Sequence, residues 1–342
     1  MKITERSIAG YERVLIAEEE SSRYHAVIAV HSTALGPAVG GTRVWQYPSE
    51  DEALHDALRL ARGMTYKNAL AGLPFGGGKS VILSPGSGFD REALFRAHGR
   101  LVASLAGAYI TAEDVGTSTA DMEVVRRETS FVGGLAGLSG DPSPHTARGV
   151  FRAMLAAAAH RWGTAALAGR TVALQGCGHV GEYLARELNR AGASLILADV
   201  DSARAGKLAR ELGADVVSPN DIYSAAASVF APCALGGILN DSTIPQLRAE
   251  IICGGANNQL LDSRHGEALL ERGILYVPDY AANAGGVING CCREWLGWSP
   301  EQTSQKVEAI HDTIAEILRL ADRDLIPPHA AADRLAEARL AA

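Results

Sequence analysis

The segment that most constrains the fold is an apolar run, residues 171–175, that leads directly into the pattern G-x-G-x-x-G at Gly176, Gly178 and Gly181. A helical pattern begins at about residue 180. Glycines at this spacing allow a tight turn, close approach of the backbone to a pyrophosphate, and close contact between helix and strand. The pattern therefore predicts a strand–turn–helix unit that holds a dinucleotide at the N-terminus of its helix.

A second apolar run, residues 194–200, contains Asp199, 18 residues after Gly181. Dinucleotide-binding units of this kind carry a carboxylate at about this distance, where it accepts hydrogen bonds from ribose hydroxyls. A carboxylate there repels the 2′-phosphate of NADP, so the sequence favours NAD. Asp201 and Arg204 leave the use of NADP open. The alternative interpretation of the glycines is a tight turn that binds nothing.

Strand and helix patterns alternate over the second half of the chain. Strand-like runs occupy residues 171–175, 194–200, 228–232, 250–255 and 274–278, and helices begin near residues 180 and 202. This alternation predicts parallel βαβ units and a doubly wound sheet. A final pair of helices is expected at about 300–322 and 329–341.

The first half also reads as α/β. Ser49 and Glu52 form a capping-box pattern at the start of a helix. Strands are expected at residues 25–31, 38–44, 81–83 and 108–112, and further helices at about 90–106 and 118–128. Because apolar residues switch between periods of two and 3.6, this part mixes strands with helices.

The length of the chain indicates two domains. At roughly 100–200 residues per domain, 342 residues correspond to about two. Residues 133–149 are rich in Gly, Pro and Ser, which is typical of a connection. We place a Rossmann-type dinucleotide domain at residues 136–327. A second α/β domain takes residues 1–135, with 328–342 returning to it.

The charge balance and the cysteines exclude several classes of protein. Lys and Arg number 32 against 39 Asp and Glu, a net charge of −7, so a nucleic-acid partner lacks its electrostatic footprint. No apolar run reaches the ~20 residues that a membrane span needs. The five cysteines form no C-x-x-C pair, so we expect reduced thiols and no metal site. We see no export signal and expect a cytoplasmic protein.

Two lysines, Lys67 and Lys79, lie twelve residues apart in a weakly charged, glycine-rich stretch. Gly78-Lys79-Ser80 is similar to the end of an ATP-binding P-loop, but that motif requires glycine where Leu73 stands. If the lysines share a cleft, repulsion and burial lower the pKa of at least one of them. That amine could act as a base while the other binds a substrate carboxylate. Spacing alone does not assign the roles, and purely structural lysines stay an open alternative.

Two acids, Glu113 and Asp114, follow the apolar strand at 108–112. Clefts of α/β proteins open at the carboxyl ends of strands, so one of these acids could move protons. Helix capping or solvation of a loop is the alternative, and the spacing does not choose between them.

Several segments together resemble the amino-acid dehydrogenases of the leucine, phenylalanine, valine and glutamate group, with most similarity to the leucine branch. They are MTYKNALAGLPFGGGK at 64–79, AEDVGT at 112–117, SPHTARGV at 143–150, GCGHVG at 176–181, APCALGG at 231–237, GGANNQL at 254–260 and PDYAANAGGVIN at 278–289. The resemblance spans nearly the whole chain in order. It implies NAD-dependent oxidative deamination of an L-amino acid to a 2-oxo acid, ammonium and NADH, without a metal. It also implies that residues 1–135 form a domain for substrate binding and oligomerisation, and that the reaction takes place in a cleft between this domain and the Rossmann domain.

The resemblance also implies roles for single residues. Lys79 matches the lysine that activates water, Lys67 the lysine that binds the α-carboxylate, and Asp114 the acid that moves protons to and from the amino group. Further substrate-binding positions are Gly40, Gly41, Met64, Ala112, Asn258, Asn283, Val287 and Gly290. Cofactor-binding positions are Ser143, Thr146, Gly176, Gly178, His179, Val180, Gly181, Asp199, Val200, Ala231, Pro232, Cys233, Ala256, Asn258 and Asn283.

The preferred substrate is less constrained. Ala112 and Val287 match a leucine-type pocket, and no cation stands at a pocket position, so the resemblance favours an apolar amino acid such as leucine or another branched-chain substrate. Gly290 stands where a branched aliphatic residue is expected, and Pro74-Phe75 are similar to the aromatic-specific branch. An aromatic substrate, Phe or Trp, is therefore the alternative; packing of a helix is the other explanation of Gly290.

The quaternary structure and two further functions stay open at this level. The chain ends at Ala342 without the basic tail of the leucine enzymes, which favours a homo-oligomer such as a dimer or tetramer over an octamer. A non-catalytic NAD-sensing protein would keep the dinucleotide domain but lose Lys67, Lys79 and Asp114, and all three are present. A hydroxy-acid dehydrogenase would need a histidine paired with a carboxylate.

Overall fold

A computed structural model describes all 342 residues, which form two compact units. Unit 1 consists of Met1–Gly140, Arg293–Gly297 and Ala336–Ala342, and unit 2 of Asp141–Cys292 and Trp298–Leu335. The expected boundary at 135/136 therefore lies at 140/141 instead. The C-terminal return begins at 336 rather than 328, and residues 293–297 are a second return that the sequence did not suggest.

Hydrogen bonds explain where the chain changes from one unit to the other. The carboxylate of Glu294 accepts from the backbone N–H of Gly134 at 2.9 Å, which holds the second return within unit 1. The hydroxyl of Tyr280 donates to the carbonyl oxygen of His329 at 3.2 Å, which keeps the start of the last helix in unit 2.

Unit 1 contains a six-stranded mixed sheet and three helices. The strands are β1 (Lys2–Glu5), β2 (Arg13–Glu19), β3 (Tyr24–Ser32), β4 (Ala38–Trp45), β5 (Gly76–Leu83) and β6 (Tyr109–Glu113), and the helices are α1 (Glu50–Leu70), α2 (Arg91–Ala103) and α3 (Thr119–Arg126). The strand order is β1-β2-β3-β5-β4-β6. Strands β1, β2, β3 and β5 pair antiparallel, whereas β4 is parallel to both of its neighbours. Strands β1 and β2 were not predicted.

One face of the unit 1 sheet packs against α1. Ser49 caps this helix, as expected, by accepting from the N–H of Glu52 at 3.2 Å. A Cβ at Gly77 would lie 2.0 Å from the backbone nitrogen of Thr65, so only glycine lets β5 approach α1 this closely. The register pairs Thr42 with Ser80 and Val39 with Gly77, which places residue 41 of β4 level with residue 79 of β5.

The opposite face of the sheet buries a polar network below α2. Thr42 Oγ1 lies 2.9 Å from Ser80 Oγ and 2.8 Å from His98 Nε2, and the other ring nitrogen of His98 lies 2.8 Å from the hydroxyl of Tyr24. Burial lowers the pKa of His98 to about 3, so its imidazole is neutral. Since Tyr109 donates to the carbonyl oxygen of Gly40 at 2.6 Å, the network also supports β4 from below.

Unit 2 contains a six-stranded parallel sheet surrounded by helices. The strands are β7 (Thr171–Gln175), β8 (Ser194–Ala198), β9 (Asp215–Val216), β10 (Val229–Pro232), β11 (Ile251–Ile252) and β12 (Leu275–Tyr276). The helices are α4 (Ser143–Trp162), α5 (His179–Arg190), α6 (Ser202–Leu212), α7 (Arg264–Glu271), α8 (Asp279–Ala282), α9 (Gly285–Gly290), α10 (Pro300–Glu308), α11 (Ile310–Asp324) and α12 (Pro328–Leu340), the last of which ends in unit 1. A π-helical turn at Cys291–Trp295 follows α9.

The strand order β12-β11-β10-β7-β8-β9, with every neighbouring pair parallel, confirms the doubly wound sheet. Counted from β7, it is the order 3-2-1-4-5-6 of dinucleotide-binding folds. The order reverses between β7 and β10, and ligands of such sheets bind beyond the carboxyl ends of the strands at this point. The loops after β7 and β10 therefore lie where a sheet of this kind binds its ligand.

Two local predictions in unit 2 were wrong. Helix α4 begins at Ser143, inside the segment 133–149 that was predicted as a connection. Pro144 is compatible with this helix because the first-turn N–H groups have no partner within the helix. The single helix expected at 300–322 is two, since α10 ends at Glu308 and α11 begins at Ile310. No helix of either unit is long and apolar enough to cross a bilayer.

Candidate active site

Lys79 and Asp114 form a close ion pair in unit 1. Lys79 lies on β5, Asp114 directly follows β6, and Lys79 Nζ is 2.7 Å from Asp114 Oδ2. The lysine is 6% exposed, which is unusual for this residue type. A buried amine in contact with a carboxylate is an arrangement in which a proton can be exchanged at short range.

The surroundings shift the pKa of both groups. Burial has the largest effect on Lys79 and lowers the pKa of its amine, although the charge of Asp114 opposes this. Burial raises the pKa of Asp114, but the positive charges of Lys79 and Arg43 outweigh it and leave the pKa of this carboxyl below its ordinary value. The geometry therefore favours an ionised carboxylate beside an amine that loses its proton more easily than a lysine in water.

The backbone around Asp114 is held in place by a neighbouring hydroxyl and by a glycine. The N–H of Asp114 donates to Thr117 Oγ1 at 2.8 Å. A Cβ at Gly41 would lie only 2.8 Å from Asp114 Cβ, so the absence of a side chain on β4 allows the acid to sit here. Gly41 also pairs with Ala112 on β6, which brings three of the predicted residues together.

The other predicted residues of unit 1 lie on α1 and β4. Met64 and Lys67 are half-buried on the last turns of α1. A Cβ at Gly40 would lie 1.7 Å from the carbonyl oxygen of Gly78, so Gly40 is required for close packing of β4 against β5. Glu113, the second acid of the sequence pair, is exposed and accepts from the hydroxyl of Thr119. Asp114 is therefore the acid that faces Lys79.

Sequence reasoning missed Arg43, which also contacts Asp114. Arg43 Nε donates to Asp114 Oδ2 at 3.1 Å, and Arg43 Nη1 donates to Asp56 Oδ2 at 2.9 Å. Asp56 further accepts from the hydroxyl of Tyr47 at 2.6 Å and from Arg59 at 2.8 Å. The signal available in the sequence was the period of a strand, because Arg43 follows Gly41 by two residues and so points to the same face.

The glycines of the G-x-G-x-x-G motif adopt three different environments in unit 2. Gly176 directly follows β7 and has φ at +95°, a backbone conformation that favours glycine. A Cβ at Gly181 would lie 1.9 Å from the carbonyl oxygen of Gly176, so this position allows α5 to pack on the turn. A Cβ at Gly178 would meet no atom within 4 Å, so open space lies above the N-terminus of α5, next to His179 and Val180.

Asp199 lies beside this turn, as predicted from its spacing. Its Oδ2 accepts from the backbone N–H of Cys177 at 2.6 Å, and its Oδ1 accepts from that of Asp201 at 2.8 Å. The side chain of Asp199 is 6% exposed, and Arg204 Nη1 lies 3.8 Å from it. Val200, the next residue, is 91% exposed. The carboxylate thus braces the loop and retains lone pairs for a further donor.

The loop after β10 lies beside the first glycine. A Cβ at Gly176 would lie 2.8 Å from Ala234 Cβ, and the N–H of Cys233 donates to the carbonyl oxygen of Gln175 at 2.7 Å. The N–H of Ala256 donates to the carbonyl oxygen of Pro232 at 2.9 Å. The predicted cofactor-binding residues Ala231, Pro232, Cys233 and Ala256 are thereby brought to one edge of the sheet, at the reversal of strand order.

Asn283 carries an unpaired acceptor in the interior of unit 2. It is 5% exposed, and its Nδ2 donates to Asn257 Oδ1 at 2.7 Å and to the carbonyl oxygen of Gly255 at 3.2 Å. Its Oδ1 has no hydrogen-bond partner. Asn258, which is exposed, has φ at +52° and donates its N–H to Asp279 at 2.6 Å. A buried oxygen without a donor is costly unless a ligand supplies one.

The remaining predicted residues lie on α4 and α9. Ser143 donates its N–H to Asp141 Oδ1 at 2.8 Å, and a Cβ at Gly286 would lie 2.7 Å from Thr146 Oγ1, so the start of α4 contacts α9. Val287 and Gly290 are half-buried on α9. A Cβ at Gly290 would meet nothing within 4 Å, so helix packing does not require glycine at this position.

Comparisons with known proteins agree with this geometry. Residues 5–131 match the Glu/Leu/Phe/Val dehydrogenase dimerisation domain, and residues 204–342 match the Glutamate/Leucine/Phenylalanine/Valine dehydrogenase domain. The chain is 52% identical to a leucine dehydrogenase of Geobacillus stearothermophilus over 96% of its length and 90% of that protein. It is 48% identical to a valine dehydrogenase of Streptomyces coelicolor, over 97% and 93%.

A solved structure extends the similarity to the fold. The crystal structure of L-tryptophan dehydrogenase from Nostoc punctiforme superposes with a TM-score of 0.87 at 44% identity, covering 97% of this chain and 96% of that one. The two domain matches and the similarity to the leucine dehydrogenase extend over most of the sequence. The chain therefore belongs to the glutamate/leucine/phenylalanine/valine dehydrogenase family of amino-acid dehydrogenases.

Proposed function

We propose that the protein catalyses the NAD-dependent oxidative deamination of an apolar L-amino acid, with water as co-substrate, to the 2-oxo acid, ammonium, NADH and a proton. The observation that carries the proposal is the buried ion pair of Lys79 and Asp114 at 2.7 Å, with the pKa of the amine lowered by burial. This pair supplies the base and the acid that deamination requires.

Lys67, Lys79 and Asp114 of unit 1 would each have a separate role in the reaction. Lys67 would bind the α-carboxylate as a cation. Asp114 would accept a proton from the substrate amino group. After loss of the Cα hydride, Lys79 would remove a proton from the water that attacks the iminium carbon. Asp114 would then return a proton to the nitrogen, and ammonia would leave the carbinolamine as its carbonyl forms. The opposed charge requirements of Lys67 and Lys79 explain why only Lys79 needs to be buried.

The residues of unit 2 fit NAD. When bound, NAD supplies the acceptor for the Cα hydride. The open space above Gly178 leaves room for a pyrophosphate beside the N-terminus of α5, which is 12 residues long. The unpaired Oδ1 of Asn283 suits the amide N–H of a nicotinamide. Asp199 would accept from the ribose hydroxyls, and its charge favours NAD over NADP.

The other positions would complete the two binding sites. For the cofactor these are Ser143, Thr146, Gly176, His179, Val180, Gly181, Val200, Ala231, Pro232, Cys233, Ala256 and Asn258. For the substrate they are Gly40, Gly41, Met64, Ala112, Asn258, Asn283, Val287 and Gly290. The match of residues 5–131 to a dimerisation domain supports a homo-oligomer, a dimer or larger.

Leucine or another branched-chain amino acid is the proposed substrate. The sequence similarity to the leucine and valine enzymes supports this choice, as do the small apolar side chains of Ala112 and Val287. Gly290 favours a second candidate, an aromatic amino acid, because the space beside it is open. The 46% identity to an L-tryptophan dehydrogenase of Nostoc punctiforme supports the same alternative.

The test of the reaction is a rate panel of Leu, Ile, Val, Phe, Trp and Glu with NAD and with NADP, followed as absorbance of the reduced cofactor. We expect turnover of apolar substrates with NAD. In Lys79→Ala, kcat should fall by about 10²- to 10⁴-fold, the usual contribution of a general base, while NADH binding measured by fluorescence persists. Lys2→Ala, at an exposed lysine of β1, is the matched control. Retained deamination by Lys79→Ala would refute the assignment of the base.

The test of the side-chain pocket is Gly290→Val. A valine would occupy the open space, so the ratio of kcat/KM for Phe to that for Leu should fall by about 10- to 200-fold, the range for one or two methylene groups in a pocket. An unchanged ratio would show that residue 290 does not contact the substrate.

A further inference from the structure

Arg43 connects the ion pair of Lys79 and Asp114 to a second carboxylate. It receives no role from the proposed reaction, yet its guanidinium donates to Asp114 at 3.1 Å and to Asp56 at 2.9 Å. Its side chain is 22% exposed, and that of Asp56 is 14% exposed. A planar guanidinium with rigidly spaced donors can hold two carboxylates in a fixed relation, which a lysine cannot do.

We infer that Arg43 is a positioning residue for the proposed reaction, holding the carboxylate of Asp114 in place from an anchor at Asp56. The inference rests on the proposed function. The anchor is itself fixed, because Asp56 accepts from the hydroxyl of Tyr47 at 2.6 Å and from Arg59 at 2.8 Å. Arg43 is thus held at one end by a carboxylate that accepts from three side chains, and it presents Nε to Asp114 at the other.

The donors around Asp114 leave its carboxylate able to accept a further hydrogen bond. Both Lys79 and Arg43 approach Oδ2 of this carboxylate. The backbone N–H of Asp114 is engaged by Thr117, so the loop does not rotate freely. A carboxylate has about four acceptor sites, so Asp114, which also receives a backbone hydrogen bond from Val115, can still accept one from a substrate amino group.

Arg43 also supplies a charge that does not titrate. During the reaction Lys79 must become neutral, and Arg43 is then a cation that still donates a hydrogen bond to Asp114. The guanidinium keeps its proton at every working pH, so it stabilises the ionised form of Asp114 that is ready to accept a proton from the substrate. The same positive charge lowers the pKa of both Asp114 and Lys79. Because Arg43 lowers both pKa values, Asp114 is ionised and Lys79 is neutral from a lower pH upward than they would be without it. These are the protonation states that deamination requires.

Other groups that face this cluster act alongside Arg43. The titratable and charged neighbours are Lys79 on β5, Tyr47 after β4, Asp56 and Arg59 on α1, and Tyr109 on β6. Tyr47 stays neutral, because burial raises its pKa and its hydrogen bond to Asp56 raises it further. Tyr109 also stays neutral, because burial raises its pKa to about 12. Glu113 precedes Asp114 in the sequence but is exposed, and Lys67 is a further cation on α1. Lys79 and Arg43 are the cations whose hydrogen-bond distances to Asp114 Oδ2 are 2.7 and 3.1 Å.

The experiment is the pH profile of kcat/KM for deamination by the full-length protein and its Arg43→Gln variant. Glutamine keeps much of the volume but removes the charge. We expect kcat/KM at neutral pH to fall by roughly 10- to 100-fold, the scale for a misplaced catalytic group. The acidic limb should move to higher pH, because Asp114 and Lys79 both lose a positive neighbour that lowers their pKa. A merely structural arginine would lower the rate at every pH without moving the limb.

Two further variants keep the test decisive. Arg43→Lys restores the charge without the two-carboxylate bridge, so its limb should lie near that of the wild type while kcat stays reduced. Arg96→Gln breaks a different arginine–carboxylate pair of unit 1, Arg96 with Glu128 at 2.8 Å, and should leave the profile unchanged. Thermal melting and NADH binding report whether each variant folds.

The outcomes separate the inference from the function on which it rests. Wild-type turnover with an unmoved limb in folded Arg43→Gln would overturn the inference alone. A limb displaced equally in Arg43→Lys and Arg43→Gln would overturn it too, since charge would then not be the cause. If no Arg43→Gln protein folds, the position of the limb in Arg43→Lys decides in the same way. A wild-type protein without amino-acid turnover would overturn the proposed function and the inference together.

Discussion

A single methyl group at Gly41 should disable the proposed site. The ideal Cβ of Gly41→Ala would lie 2.4 Å from the carbonyl oxygen of Glu113 and 2.8 Å from Asp114 Cβ. Ordinary van der Waals contact begins at 3.4 Å, so these atoms must separate by at least 1.0 Å and 0.6 Å. The displaced group is the carboxylate that lies 2.7 Å from Lys79.

The magnitude follows from that displacement. A shift of about 1 Å in a reacting group lowers the rate on the order of 100-fold. Overpacking between paired strands costs about 1–3 kcal/mol of folding free energy. The assay is kcat and KM for deamination together with the thermal midpoint. We expect kcat to fall much more than NADH affinity, because the cofactor-binding residues belong to unit 2.

The same chemical change elsewhere in unit 1 provides the control. Gly63 lies within α1, and a Cβ there would meet nothing within 4 Å. Gly63→Ala should therefore stabilise the helix by about 1 kcal/mol and leave kcat near that of the wild type. If Gly41→Ala turned over substrate within threefold of the wild type at an unchanged thermal midpoint, the close approach of β4 to Asp114 would not govern the chemistry.

Further predictions concern the cofactor loop and acid stability. Gly178→Ala should weaken NADH binding without lowering the thermal midpoint. Gly181→Ala should weaken NADH binding and also lower the thermal midpoint, because its Cβ would lie 1.9 Å from a carbonyl oxygen of the turn. Equal thermal midpoints of the two variants would contradict this prediction. Asp199→Ala should raise the Kd of NADH in fluorescence titrations more than it changes kcat, and the reverse order would argue against ribose binding. Burial raises the pKa of Asp121, but Arg91 and a serine hydroxyl outweigh it and leave that pKa below its ordinary value. This carboxylate therefore stabilises unit 1 above the unfolded-state pKa near 4, and the contribution is lost as the pH falls through the depressed value. Asp121→Asn should flatten the acid side of a stability–pH curve measured by urea unfolding, and an unchanged slope would contradict the assignment.

The dinucleotide fold was predictable because its signal is local. Gly176 and Gly181 follow one another within a single turn, and the structure requires both, one by its positive φ and the other by contact with the turn. Asp199 was predictable for the same reason, since β8 pairs directly with β7 and ends beside the loop. The contacts of this motif join one strand, one turn and one helix that follow each other in the chain, so a short stretch of sequence is enough to predict them.

The rest of unit 1 was less predictable because its contacts join distant segments. Strand β1 is exposed along its whole length, so its sequence shows no alternation of apolar residues, and it exists through pairing with β2. Arg43 contacts Asp56 and Asp114, which lie 13 and 71 residues away. The return of residues 293–297 depends on Glu294 reaching Gly134, 160 residues earlier. No window of sequence contains both partners of these contacts.

The geometry of β4 explains how the ion pair of Lys79 and Asp114 can form. Lys79 belongs to β5 and Asp114 follows β6, with β4 between them, so the pair bridges two strand spacings of about 4.8 Å each across the sheet. Along the strands, Ala112 is the residue of β6 that is level with Lys79, and Asp114 lies two residues beyond it. Residue 41 is level with Lys79 and shares its face, and any side chain there would stand in the path between the amine and the carboxylate. Two residues later on the same face, Arg43 contacts Asp114. A register shift of β4 by one residue would present Thr42 on this face and withdraw Arg43, because successive side chains of a strand point to opposite faces. Strand β4 thus provides both the space that Gly41 leaves open and the positive charge of Arg43. The register of β4 therefore matters as well as the identities of Lys79 and Asp114.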